Sequence, residues 1–85
     1  MKFPVGRIRQ KVREVINMRA GFGKTEAQVL EFVNDLLGGG VNLQDVRDAI
    51  EWNHTEGYLR RHEDKELEVV QWFITTEGQA KENIK

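Results

Sequence analysis

The stretch "GYLRRHEDKELEVVQWFI", residues 57–74, decides how this chain folds. Before it, apolar residues recur at helical spacing. From Gly57 onward the period shortens to two. "YLRR", residues 58–61, reads as a short strand, "HEDKE", residues 62–66, as a turn, and "LEVVQWFI", residues 67–74, as a second strand rich in β-branched and aromatic residues. Side chains alternate across a strand. Val70, Trp72 and Ile74 therefore share one face, and Leu67, Val69, Gln71 and Phe73 the other. A two-stranded hairpin packs on helices with one face only. Its second face is either covered by a terminal residue, Phe3 or Ile84, or left as an apolar surface of the kind that marks an interface.

Three helices precede the hairpin. Pro4 suits a first helical turn, where its missing N–H would be unpaired anyway. Val5, Ile8, Val12, Val15 and Ile16 then follow one helical face, so the first helix is expected over about 4–19, with Arg7, Arg9, Lys11 and Arg13 covering its outer side. Val29, Leu30, Val33, Leu36 and Leu37 mark a second helix over about 26–37, ended by Gly38-Gly39-Gly40, one of which serves as the C′ residue. Val41 is expected in a one-residue β-bridge and Asn42 as the next N-cap, with Asp45 three residues on. Leu43, Val46, Ala49 and Ile50 form the buried face of a third helix over about 43–56, closed by Gly57. Its opposite face presents Gln44, Arg47, Asp48, Glu51 and Thr55, with Trp52 at the margin. Thr75 or Thr76 caps a short C-terminal segment, "EGQAKENIK".

"GFGKT", residues 21–25, ends like a phosphate-binding P-loop. That motif needs a glycine five residues before Gly23, where this chain has Met18, and a strand before the loop, where this chain has a helix. The glycines are better read as a break between two helices, with Thr25 and Gln28 forming a capping box.

Eighty-five residues make one domain, residues 1–85, and a chain of this length buries only about 60–65% of its unfolded surface. There is no cysteine, hence no disulfide framework and no Cys-based zinc site. No apolar run approaches the length of a membrane span, and the first ten residues lack the apolar stretch of a secretory signal; the cytosol is the expected compartment. The net charge of −1 hides an asymmetry: residues 1–24 carry seven basic side chains against Glu14 alone, while the other 61 carry six basic and thirteen acidic. A basic arm on an acidic body implies a directional electrostatic partner, either nucleic acid or the acidic surface of another copy.

The helix order, the short turn before the third helix and the hairpin after it resemble the winged helix-turn-helix superfamily. Two motifs carry the resemblance: "VRDAIEWNHTEGYL", residues 46–59, is similar to the third helix and its entry into the wing, and "WFITTEG", residues 72–78, to the ending of the wing's second strand. The same motifs look like those of small winged-helix proteins of Mu-like transposable phages. The fold implied is α+β, a three-helix winged helix-turn-helix with a C-terminal two-stranded β-hairpin wing. Asn53 departs from the pattern, because that position on the core face is usually aliphatic and an unpaired buried amide costs about 1–3 kcal/mol.

The resemblance implies a partner, double-stranded DNA, with the third helix in the major groove and the wing on phosphate or minor groove. The residues it would use are Gln44, Arg47 and Thr55 on the helix and Arg60, Arg61 and Lys65 on the wing. The implied roles are a transcriptional regulator or a phage or mobile-element accessory protein. Against this, residues 43–56 hold one arginine and four carboxylates, and phosphate contacts dominate DNA affinity. DNA binding would then lean on Arg7, Arg9, Lys11 and Arg13 and on the 19–24 loop. The alternative is a non-catalytic protein-interaction module, a homodimer or a complex with another protein, using Trp52, Leu67, Val69 and Phe73. His54 and His62 stand apart with no organised carboxylate pair, so no catalytic group, cofactor or metal site is expected.

Overall fold

Pro4 is the N-cap of α1, Val5–Asn17, in the computed structural model, which describes residues 3–83. The order continues α2, Glu26–Leu37; α3, Leu43–Thr55; β1, Leu59–Asp64; β2, Val69–Ile74; and α4, Thr76–Asn83. α2 and α3 begin and end on chemistry visible in the chain. Thr25 Oγ1 accepts from the Gln28 N–H while Gln28 Oε1 accepts from the Thr25 N–H, and Asn42 and Asp45 repeat that reciprocal box at α3. Gly38 takes the left-handed conformation at φ 80° that stops α2, and Gly57 does the same after α3 at φ 85°.

The core gathers one stripe from each of the first three helices: Ile8, Val12, Val15 and Ile16 of α1, Val29 and Val33 of α2, and Val46, Ala49 and Ile50 of α3. Leu59, Trp72 and Ile74 of the hairpin close it from one side, with Val70 packed against its edge. β1 and β2 pair antiparallel with Arg61 opposite Trp72 and Arg60 opposite Phe73, so each such pair shares a face.

Four expectations are corrected. The chain has a fourth helix, α4, built from the capped C-terminal segment: Thr75 Oγ1 accepts from the Gly78 N–H, and Gly78 lies so close to the Tyr58 carbonyl and Ile74 that no larger residue fits. The hairpin turn falls at 65–68, later than 62–66, because Asp64 Oδ1 accepts from the N–H groups of Glu66 and Leu67 and so organises the reversal itself. α1 stops at Asn17, two residues short of 19.

The isolated β-bridge among the described residues is formed by Lys24, not Val41: Lys24 N–H donates to the Trp72 carbonyl at 3.0 Å and Trp72 N–H returns the bond at 2.8 Å. Val41 gains its two bonds from a side chain instead. Asn34 Nδ2 donates to its carbonyl, and its N–H donates to Asn34 Oδ1, both at 2.9 Å. Among the described residues no helix is long and apolar enough to cross a membrane.

Candidate nucleic-acid interface

α2 and α3 pack as a helix-turn-helix pair, and the hairpin stands beside them. The capping box of Asn42 and Asp45 sets where α3 starts, which turns Val46, Ala49, Ile50 and Asn53 inward and Gln44, Asp48, Glu51 and Thr55 outward. Gln44, Arg47 and Thr55 are all exposed, as are Arg60, Arg61 and Lys65 of the hairpin. Arg60 and Arg61 are neighbours on one strand and so project from opposite faces. Arg60 stacks its guanidinium 4.5 Å from the Phe73 ring centre on the outer face, while Arg61 lies opposite Trp72 on the side of α2.

Two of the three α3 candidates, Arg47 and Gln44, are engaged within the protein. Arg47 Nη2 and Nε both lie 2.9 Å from Glu26 Oε1 at the start of α2, and Gln44 Nε2 donates to Asp48 Oδ1 at 2.9 Å. The hydrogen bond to Glu26, with the attraction of its charge, raises the Arg47 pKa above its ordinary value. Glu26 carries no obvious signal in the sequence beyond its place in the first turn of α2.

The basic arm is different from the expectation. Arg7 is exposed, but Lys11 is half-buried with Nζ 3.0 Å from Glu14 Oε1, and Arg9 lies 4.4 Å over the Trp52 ring. Arg13 is only 6% exposed and cannot reach a ligand at the surface. Its Nε donates to Glu82 Oε2 at 2.9 Å and its Nη1 to Asn53 Oδ1 at 3.0 Å. Asn53, fully buried, spends its own amide protons on the carbonyls of Arg9 and Ala49. The polar residue at an aliphatic position is thereby satisfied, and the third-helix register stands. Lys24 of the 19–24 loop is also buried, its Nζ 5.4 Å from the Phe32 ring centre.

The apolar interface set does not form one stripe. Trp52 is half-buried between Arg9 and Tyr58, whose ring centre lies 6.0 Å away. Phe73 is half-buried under Arg60 and beside Gly23, where an added Cβ would come within 2.7 Å of the Phe73 ring. The cover expected from Phe3 is elsewhere, since that ring lies near Gly40; Ile84 is outside the described residues. Leu67 alone of the set stands free, 66% exposed in the hairpin turn.

Between the start of α2 and the wing runs an open groove of about 440 Å³, lined by Thr25, Glu26, Ala27, Arg61, Val69, Val70 and Trp72. A smaller one of about 250 Å³ lies between α1 and α3, with Val5, Ile8, Arg9, Asp45, Asp48 and Ala49 along it. Among the described residues no group of His, Cys, Asp or Glu is gathered to hold a metal ion.

The geometry defines an α+β winged helix-turn-helix fold, with β1–β2 as the wing. Two solved structures share it. The complex structure of hsRosR-S1 matches with a TM-score of 0.73 at 15% identity over 87% of this chain and 62% of that one. The complex structure of hsRosR-S4 matches at 0.74 and 12% over 87% and 61%. This chain thus spans about six-tenths of the length of those chains, and at such identities the likeness is one of fold. No protein-family model and no curated protein sequence matches the chain.

Proposed function

We propose that this protein is a DNA-binding transcription regulator that contacts duplex DNA with α3 and the wing. The observation that carries the reading is the exposure of Gln44, Arg47 and Thr55 on α3 and of Arg60, Arg61 and Lys65 on the hairpin, with a cation on each face of the wing. The wing supplies phosphate contacts that the acidic α3 lacks. Arg47 is exposed and held by one exposed carboxylate, a pairing that a phosphate or a guanine edge can replace. With Arg13 and Lys24 buried, Arg7 and Arg19 are the exposed cations of the basic arm among the described residues. An accessory role in a Mu-like transposable phage rests on the two sequence motifs alone.

A titration of labelled duplex DNA at two salt concentrations tests the proposal. The logarithm of affinity should fall with the logarithm of salt at a slope of about −0.9 for each phosphate neutralised. Absence of binding at low salt would remove it. The second reading, a protein-interaction module, draws on Asp48 and Glu51 along the exposed ridge of α3 and on Leu67 and Phe22, which is 62% exposed. A protein partner for that ridge would be basic, giving fast, oriented encounter more than affinity.

A further inference from the structure

The larger groove has an apolar lining that the DNA reading leaves unused. Its lining is apolar along the wing: Trp72 and Val70 from one strand face, with Val69 next to them in β2. Its walls carry two charges of opposite sign, Glu26 on α2 and Arg61 on the wing. They are not equivalent. Glu26 is already matched by Arg47 at 2.9 Å, whereas Arg61, among the described residues, forms no salt bridge and donates no side-chain hydrogen bond. The groove thus offers one unmatched cation beside an apolar lining, in a volume of about 440 Å³, within the size range of small-molecule sites.

We infer that this groove binds a small organic monoanion, a carboxylate on a flat apolar body. The apolar body lies on Val70 and Trp72, which share a strand face with Arg61. The carboxylate takes the planar fork of Arg61 in the paired geometry that guanidinium and carboxylate share. Glu26 on the opposite wall repels the carboxylate and so fixes which way round the ligand sits. A nucleic-acid strand would carry several charges past Glu26; a monoanion carries one, away from it. Resting on the DNA reading, the inference also assigns the ligand a regulatory effect: it occupies Arg61, removes one phosphate contact and weakens DNA binding.

The probe is 2-naphthoate, with neutral 2-naphthalenemethanol as its uncharged counterpart, followed by the indole N–H resonance of Trp72 in isotope-labelled protein. Trp52→Phe assigns that resonance, since the chain has two tryptophans. Naphthoate should shift it saturably, with affinity about tenfold weaker in Arg61→Gln and for the neutral compound, the loss of one charge-assisted pair. Arg61 is exposed, so Arg61→Gln should keep the wild-type spectrum elsewhere. A Trp72 resonance unmoved at roughly 5 mM naphthoate, weaker than any useful site, overturns the inference, as does equal binding by Arg61→Gln. A second titration with duplex DNA present tests the regulatory half: naphthoate should lower DNA affinity, and unchanged affinity overturns that half. Naphthoate binding is read without DNA, so a protein that binds naphthoate but never DNA would refute the DNA reading and leave the groove assignment standing.

Discussion

Arg13 and Glu82 are 69 residues apart in the chain and form a buried ion pair, Nε to Oε2 at 2.9 Å, that fastens α4 to α1. The two side chains keep only 8% and 9% of their exposure. The Asn53 amide completes the site from α3, so three helices meet on one guanidinium. α4 has little else to dock with: Gly78 is its one buried residue, and its apolar and polar residues are not sorted to opposite sides.

Glu82→Gln should therefore be strongly felt. It leaves a buried guanidinium without its counter-charge, a loss of about 3–5 kcal/mol for a fully buried pair. The pair's small residual exposure places the expectation at the lower end. Urea denaturation measures it. Replacing both partners by apolar residues, Arg13→Met with Glu82→Leu, should recover part of the loss, because no charge is then left unpaired although Asn53 Oδ1 loses its donor.

Gly23 is required by close approach rather than by backbone conformation. An alanine there meets Phe73 Cε1 and Cζ at 2.7 Å and Gln71 Cβ at 2.9 Å. Gly23→Ala should cost about 1–3 kcal/mol, the usual penalty for overpacking. Adding Phe73→Ala should return part of that stability, a non-additivity that a double-mutant cycle in urea reads directly.

Glu26 holds the one arginine of α3. Glu26→Gln should free Arg47 and remove a carboxylate from the DNA-facing side, raising duplex affinity by a factor on the order of 3–10 at low salt, with the gain fading as salt screens it. Arg47→Gln should lower affinity and reduce the salt slope by about one phosphate. Equal affinity for both variants and the parent would place the contact elsewhere.

The helices and wing were legible because local rules agree with the packing: apolar periodicity, two reciprocal capping boxes and the switch of period at Gly57 all point to the same fold. Three features were not legible. The Arg13–Glu82 pair joins the first helix to the last, and nothing local distinguishes Arg13 from the solvated arginines around it. The bridge at Lys24 depends on how the α1–α2 loop lies along β2; Gly23 in "GFGKT" is its trace in the sequence, a glycine needed for contact with Phe73. Of the candidate contacts, those on α3 and the wing are exposed, since helix phase and strand alternation fix exposure. The basic arm is so only in part, since phase alone could not reveal which arginines α3 and α4 cover.

The most direct test is to map the contact itself. Amide resonances of isotope-labelled protein should be followed while duplex DNA is added at low salt. The account expects shifts concentrated along the exposed side of α3, Gln44 to Thr55, and in the wing, Arg60 to Lys65, with the outer side of α1 around Arg7 unmoved. Shifts confined to α1, or none at any DNA concentration, would contradict it.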